Sequence, residues 1–159
     1  MKIRTGIGFD VHQLAADRKL ILGGVEIPHE KGCIAHSDGD VLIHAICDAL
    51  LGALNLGDIG THFPDSDSQY KNIDSKLLLE KVGSMIRMKG FEISNIDSVI
   101  CLEKPKVKDY ILAMQSSVAS SLSISTEDVS VKATTTEKLG YTGREEGVSA
   151  YAVVLLISL

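Results

Sequence analysis

The stretch His36-Ser-Asp-Gly-Asp-Val-Leu-Ile-His44 places two histidines, a serine and two aspartates at the predicted start of one helix. Ser37 with Asp40 three residues on has the spacing of a capping box, which predicts a helix over residues 37–53. Behind it, Leu42, Ala45, Ile46, Ala49, Leu50 and Ala53 recur at helical spacing and make an apolar face. Asp40, His44 and Asp48 stand four apart on a different stripe. Packing alone does not bury two carboxylates and an imidazole, so this stripe is expected to lie off the core. It calls for a chemical role.

Asp10-Val11-His12 suggests one. Residues i and i+2 of an extended segment point the same way, so Asp10 and His12 present an oxygen and a nitrogen together. If the helix carrying His44 packs nearby, one carboxylate and two imidazoles converge. Three such ligands with a fourth position open are what a catalytic zinc site needs. Asp48, one turn after His44, is expected to accept the ring N–H that a metal leaves free. Scattered surface histidines and aspartates are the plainer alternative on spacing alone.

A chain of 159 residues, 45% hydrophobic and 23% charged, has the length and profile of one soluble globular domain. A net charge of −5 argues against nucleic-acid binding, which relies on Lys and Arg facing phosphates. A phosphorylated small molecule is compatible with it, because a metal or a helix N-terminus can supply local positive charge. Cys33, Cys47 and Cys101 form no Cys-x-x-Cys pair, which excludes a cysteine zinc cluster and disfavours a disulfide framework. Cys47 and Cys101 are expected to be buried. No apolar run reaches membrane-spanning length and the N-terminus has no apolar signal region, so no membrane partner is expected. The expected compartment is a reducing, bacterial-type cytoplasm, or a plastid if a transit peptide has been removed.

Residues 2–12 read as a strand in which Gly6 and Gly8 suggest close backbone approach. Gly23-Gly24 between residues 20–22 and 25–27 is a two-residue hairpin signal. Residues 28–35 read as a loop, and 55–67 as a polar loop. A second helix is expected over 74–89 with Leu77, Leu78, Val82, Met85 and Ile86 inward, and a third over 107–122. Strands are expected at 96–102, 129–133 and 149–157. The result is a single α+β domain over residues 1–159: a four-stranded mixed sheet with three helices on one face and a small β-hairpin, of ferredoxin-like type. The nearly all-apolar last strand implies that the sheet's other face is covered too, most simply in an oligomer.

Six motifs in order resemble the 2-C-methyl-D-erythritol 2,4-cyclodiphosphate synthase family: Gly8-Phe-Asp-Val-His12, Ala35-His-Ser-Asp-Gly-Asp-Val-Leu-Ile-His44, Asp58-Ile-Gly60, Phe63-Pro-Asp-Ser-Asp67, Lys132-Ala-Thr-Thr-Thr-Glu-Lys138 and Tyr141-Thr-Gly-Arg144. The resemblance implies closure of a cyclic diphosphate with expulsion of CMP, in non-mevalonate isoprenoid precursor biosynthesis. It implies one Zn²⁺ per subunit on Asp10, His12 and His44, and a Mg²⁺ or Mn²⁺ on Glu137 with the substrate diphosphate. His36 and Thr135 match transition-state stabilisers. Substrate-binding positions implied are Ser37, Asp58, Ile59, Gly60, Phe63, Pro64, Asp65, Ser66, Asp67, Thr134, Thr136, Tyr141 and Arg144. Leu102, Glu103, Lys104, Pro105, Lys106, Val107 and Lys108 match a cytosine pocket, although as a bare sequence this basic stretch reads as a solvated connection.

The family resemblance further implies a homotrimer with active sites between subunits. Phe9 and Arg144 match residues lining an axial cavity for an isoprenoid diphosphate. Ser66 keeps the hydroxyl of a more common Thr, and Tyr141 stands where an apolar residue is usual. Two rival readings are a zinc-dependent phosphohydrolase and a non-catalytic trimeric metal-binding scaffold.

Overall fold

The computed structural model describes residues 1–64 and 66–159. Asp65, expected to bind substrate, lies outside the described residues. In chain order the elements are β1 (Ile3–Ala16), β2 (Leu20–Leu22), β3 (Val25–Ile27), β4 (Lys31–Cys33), α1 (Val41–Ala53), α2 (Ile59–His62), α3 (Ser75–Met88), β5 (Phe91–Cys101), α4 (Ile111–Leu122), β6 (Val129–Thr134), α5 (Gly140–Gly143) and β7 (Gly147–Ser158). The main sheet has five strands in the order β4-β1-β7-β5-β6, and β2 pairs with β3 in a separate ribbon. β5 and β6 run parallel, while the other pairings are antiparallel. The architecture is the expected α+β type with one strand more than the four expected. The addition is β4, three residues paired with Leu14–Ala16 at the end of a β1 that runs four residues past His12. Three residues are too few for a period-two pattern to show, so this segment reads as loop.

β1 is built to let a helix lie on its backbone. A β-carbon on Gly8 would stand 1.9 Å from the Ala45 carbonyl oxygen, and one on Gly6 would stand 1.9 Å from that of Ala49. Only glycine opposite alanine permits this approach. It fixes where α1 crosses β1, and so where His44 meets Asp10 and His12. Gly8→Ala is therefore expected to cost about 2–3 kcal/mol, because overpacking against backbone has no rotamer to relieve it; the midpoint of urea unfolding measures this.

α1 starts later than expected, and Asp40 rather than Ser37 caps it. The Asp40 carboxylate accepts from Ile43 N at 3.0 Å. It also accepts from Gly23 N at 2.9 Å and Gly24 N at 2.6 Å, at the turn between β2 and β3. Both glycines have positive φ, +58° and +75°, as a two-residue hairpin of this kind demands. The Asp40–His44 stripe is thus not off the core: Asp40 is wholly buried and His44 is 8% exposed. Burial pushes the Asp40 carboxyl up to about 6, and the three backbone donors offset part of that cost.

α1, α3 and α4 cover one face of the sheet, against Ile96, Ile100, Ala150, Ala152, Val154 and Leu156. In α3, capped by Asp74, Leu77 is about half exposed and Leu79 takes the inward place expected of it. The third helix begins with a 3₁₀ turn at Lys108–Tyr110 before α4 proper. β5 begins five residues earlier than expected and carries an irregularity between Ile93 and Asn95 that blurs its alternation. Cys47 is buried, whereas Cys101 is only partly so. The sheet's second face presents Ile3, Ile7, Phe9, Val11, Tyr151 and Val153, with Ile7 71% exposed. The Phe9 and Tyr151 rings stack on it 4.8 Å apart. Among the described residues, no helix is long and apolar enough to cross a membrane.

Candidate metal centre and substrate cavities

Strand alternation puts Asp10 and His12 on one side of β1, and the α1–β1 approach brings His44 over them. Asp10 Oδ2 lies 3.0 Å from His12 Nε2 and 3.0 Å from His44 Nδ1. The two ring nitrogens are 3.2 Å apart. All three ligand atoms fall within 4.8 Å of one another, a group that could hold a metal ion. Ligands about 2.0–2.1 Å from a tetrahedral ion stand roughly 3.3 Å from each other, so the donor set and its spacing fit zinc. Burial raises the Asp10 carboxyl, yet hydrogen bonds from and charges on His12 and His44 outweigh it and hold Asp10 down at about 2. Burial likewise pushes His44 down, and the hydrogen bond and charge of Asp10 overcome that and hold it above the ordinary histidine value.

The other ring nitrogen of His44 is not held by Asp48. His44 Nε2 lies 2.9 Å from Ser75 Oγ and 3.2 Å from Ser37 Oγ. Asp48 Oδ1 instead accepts from Ile59 N at 2.7 Å, anchoring the start of α2 to α1. Ser75 in turn donates its hydroxyl to Asp38 Oδ1 at 2.5 Å and its amide to Asp38 Oδ2 at 2.8 Å. Neither Ser75 nor Asp38 was among the expected residues. Ser75 is 31 residues from His44, and its only sequence signal is a helix start after Asp74.

A cavity of about 340 Å³ opens over this centre. Of the expected residues it brings together Asp10, His12, His44, His36, Ser37, Ile59, Gly60, Phe63, Pro64 and Ser66; Tyr70, Ile73 and Leu78 add walls that the sequence did not flag. His36 Nε2 is buried on this cavity with no hydrogen-bond partner among the described residues. Asp58 and Asp67 are not in the lining. Asp58 caps α2 by accepting from Thr61 N, and Asp67 caps the 3₁₀ turn Ser68–Tyr70 by accepting from Gln69 N.

A second cavity, of about 260 Å³, is lined by Leu102, Glu103, Pro105, Lys106, Val107, Lys108, Thr134 and Thr135, with Ile111 and Ala133. Among the described residues, none lines both cavities. Lys104 points elsewhere, pairing with Glu145 at 3.1 Å. Thr136 N donates to Glu103 Oε2 at 3.3 Å, and Thr135 Oγ1 donates to Glu137 Oε1 at 3.1 Å, so the 134–137 segment is tied to this second cavity. Tyr141 and Arg144 line neither one, and Arg144 is engaged by Glu146 through two contacts of 3.0 Å.

A family profile described as the YgbB family matches residues 3–157. The 2-C-methyl-D-erythritol 2,4-cyclodiphosphate synthase of Bacteroides fragilis is 61% identical over 156 residues, which is 98% of each chain. Among solved structures, the bifunctional IspDF of Campylobacter jejuni matches with a TM-score of 0.96 and 47% identity, over 99% of this chain and 43% of that longer one. A CDP complex of IspF from Plasmodium falciparum matches with a TM-score of 0.87 and 34% identity, over 98% of this chain and 96% of that one. The similarity spans both cavities and every strand of the sheet, and the chain belongs to the YgbB family, that of the 2-C-methyl-D-erythritol 2,4-cyclodiphosphate synthases.

Proposed function

We propose that this chain converts 4-diphosphocytidyl-2-C-methyl-D-erythritol 2-phosphate to 2-C-methyl-D-erythritol 2,4-cyclodiphosphate and CMP. An oxygen of the 2-phosphate attacks the β-phosphorus; that bond forms as the bond from β-phosphorus to the bridging oxygen breaks, and CMP leaves with that oxygen. The observation that carries the reading is the convergence of Asp10, His12 and His44 on the wall of one cavity that His36 also lines. An intramolecular phosphoryl transfer needs positioning and charge neutralisation more than covalent help.

Asp10, His12 and His44 would hold Zn²⁺, which supplies Lewis acidity and a fixed template for phosphate. Glu137 would hold Mg²⁺ or Mn²⁺, which neutralises diphosphate oxygens as a hard ion on hard ligands. His36 and Thr135 donate hydrogen bonds to phosphoryl oxygens in the transition state. Ser37, Ile59, Gly60 and the 63–67 loop receive the methylerythritol, with Asp58 at the edge. The 102–108 segment with Thr134 and Thr136 receives cytosine and ribose, and Tyr141 and Arg144 complete the binding set.

Two half-sites without a common residue support sites between subunits: the metal cavity of one chain faces the cytidine segment of a neighbour. The exposed apolar sheet face supports a homotrimer wound about that face, with Phe9 toward an isoprenoid diphosphate along the axis and Arg144 leaving Glu146 to meet it. The compartment proposed is the cytoplasm, and residues 1–159 act as one domain.

Zinc binding should weaken as pH falls. A raised His44 value means that the metal-free fold holds its proton tightly, and a metal must displace it. The proton's contribution to the metal-free fold is full below the unfolded value of about 6.5 and is lost as pH rises through the higher folded value. The thermal stabilisation given by Zn²⁺ is therefore expected to be larger at pH 8 than at pH 6, as differential scanning fluorimetry measures.

Phosphorus NMR of the protein with substrate, Zn²⁺ and Mg²⁺ tests the activity. Cyclic diphosphate and CMP in equal amounts are expected. Inorganic phosphate would favour a hydrolase, and unchanged substrate a scaffold.

A further inference from the structure

His44 can serve a metal only in one of its two neutral forms. Nδ1 is the nitrogen turned to Asp10 and His12, so Nδ1 must offer its lone pair and the proton must sit on Nε2. Nothing on the Asp10 side enforces this: a carboxylate oxygen 3.0 Å away favours a proton on Nδ1. The opposite side does enforce it. Nε2 meets Ser75 Oγ at 2.9 Å, and Ser75 Oγ meets Asp38 Oδ1 at 2.5 Å.

A carboxylate only accepts, so the Ser75 hydroxyl must spend its proton on Asp38. What remains toward the ring is an oxygen lone pair to which Nε2 donates at 2.9 Å, while Ser37 Oγ makes the longer contact at 3.2 Å and itself accepts from Gly39 N. Asp38 is itself held in one orientation by Ser75 N at 2.8 Å and Asp40 N at 3.1 Å, one donor on each oxygen. Ser75 is wholly buried and His44 is 8% exposed, so the link between them is shielded from bulk solvent. We infer that Asp38 and Ser75 are positioning residues that set the His44 tautomer through a one-directional hydrogen-bond chain, leaving Nδ1 free for the metal. The inference rests on the proposed metal centre, but the tautomer can be read without a metal.

Long-range ¹H–¹⁵N NMR of the metal-free protein at alkaline pH reports which ring nitrogen of His44 carries the proton, and zinc titration reports affinity. The wild type is expected to show Nε2–H. Ser75→Ala removes the acceptor, and Asp38→Ala frees the Ser75 hydroxyl to donate to the ring. Each is expected to shift His44 toward Nδ1–H and to weaken zinc binding about 10- to 100-fold, the usual cost of losing a metal ligand's hydrogen-bond partner. Wild-type protein with Nδ1–H overturns the inference, and so do variants with unchanged tautomer and affinity. Wild type showing Nε2–H but binding no zinc would instead contradict the metal centre while leaving the chain's direction intact. Ser75→Ala only removes an atom, so it carries the test if Asp38→Ala fails to fold.

Discussion

His44→Ala is expected to abolish stoichiometric zinc binding and to lower turnover by about 10³-fold or more. A metal acting as Lewis acid and template contributes several kcal/mol to such a step, and each ~1.4 kcal/mol is a factor of ten. Asp10 and His12 alone are a two-ligand remnant. The burial of His44 makes its removal structural as well, because it leaves a cavity and strips a partner from both Asp10 and Ser75. A stability loss of about 2–3 kcal/mol is expected alongside. Circular dichroism with metal analysis separates the two effects. A folded variant with full zinc content and full rate would contradict the assignment of His44.

The largest loss of stability is expected at Asp40, which is absent from the lining of both cavities described above. Asp40→Ala leaves the buried amides of Ile43, Gly23 and Gly24 without an acceptor. Each unsatisfied buried group costs about 1–3 kcal/mol, so the total should reach about 4 kcal/mol even after local relaxation. The first turn of α1 and the β2–β3 ribbon then separate together, since one carboxylate joins them. Asp40→Asn keeps an acceptor oxygen and should cost less than half as much. Urea unfolding of the two variants measures the difference, and equal midpoints would show that Asp40 has a role other than holding these amides.

Asp40 also shows where local reading ends. Spacing of four along α1 groups Asp40, His44 and Asp48 on a stripe expected off the core, but the burial and the role of each are decided by partners far along the chain. The amides that hold Asp40 lie 16 and 17 residues upstream, and the serine that holds His44 lies 31 residues downstream. No periodicity encodes such distances. What local pattern does encode was legible: the i, i+2 pair at Asp10 and His12, the glycine turn at Gly23 and Gly24, and the backbone approach at Gly6 and Gly8.

Where the signal is short or shared, the reading drifts. β4 has three residues, and its pairing partner is the far end of β1. Leu77 and Leu79 fit neighbouring faces of one helical pattern, and only the packing around α3 chooses between them. Asp48 has the spacing of a ring partner for His44, yet the nearer amide of Ile59 claims it. The division of the candidate site into two cavities was invisible to sequence, because motifs that act together need only be ordered along the chain. It took coordinates to place residues 134–137 beside the 102–108 segment and away from the histidines.

Diffraction data collected on either side of the zinc absorption edge, from crystals of protein purified without chelator, test the account most directly. One anomalous peak per chain is expected, within bonding distance of Asp10 Oδ2, His12 Nε2 and His44 Nδ1. A zinc-replete crystal with no peak there, or with its ion held by other residues, would contradict it.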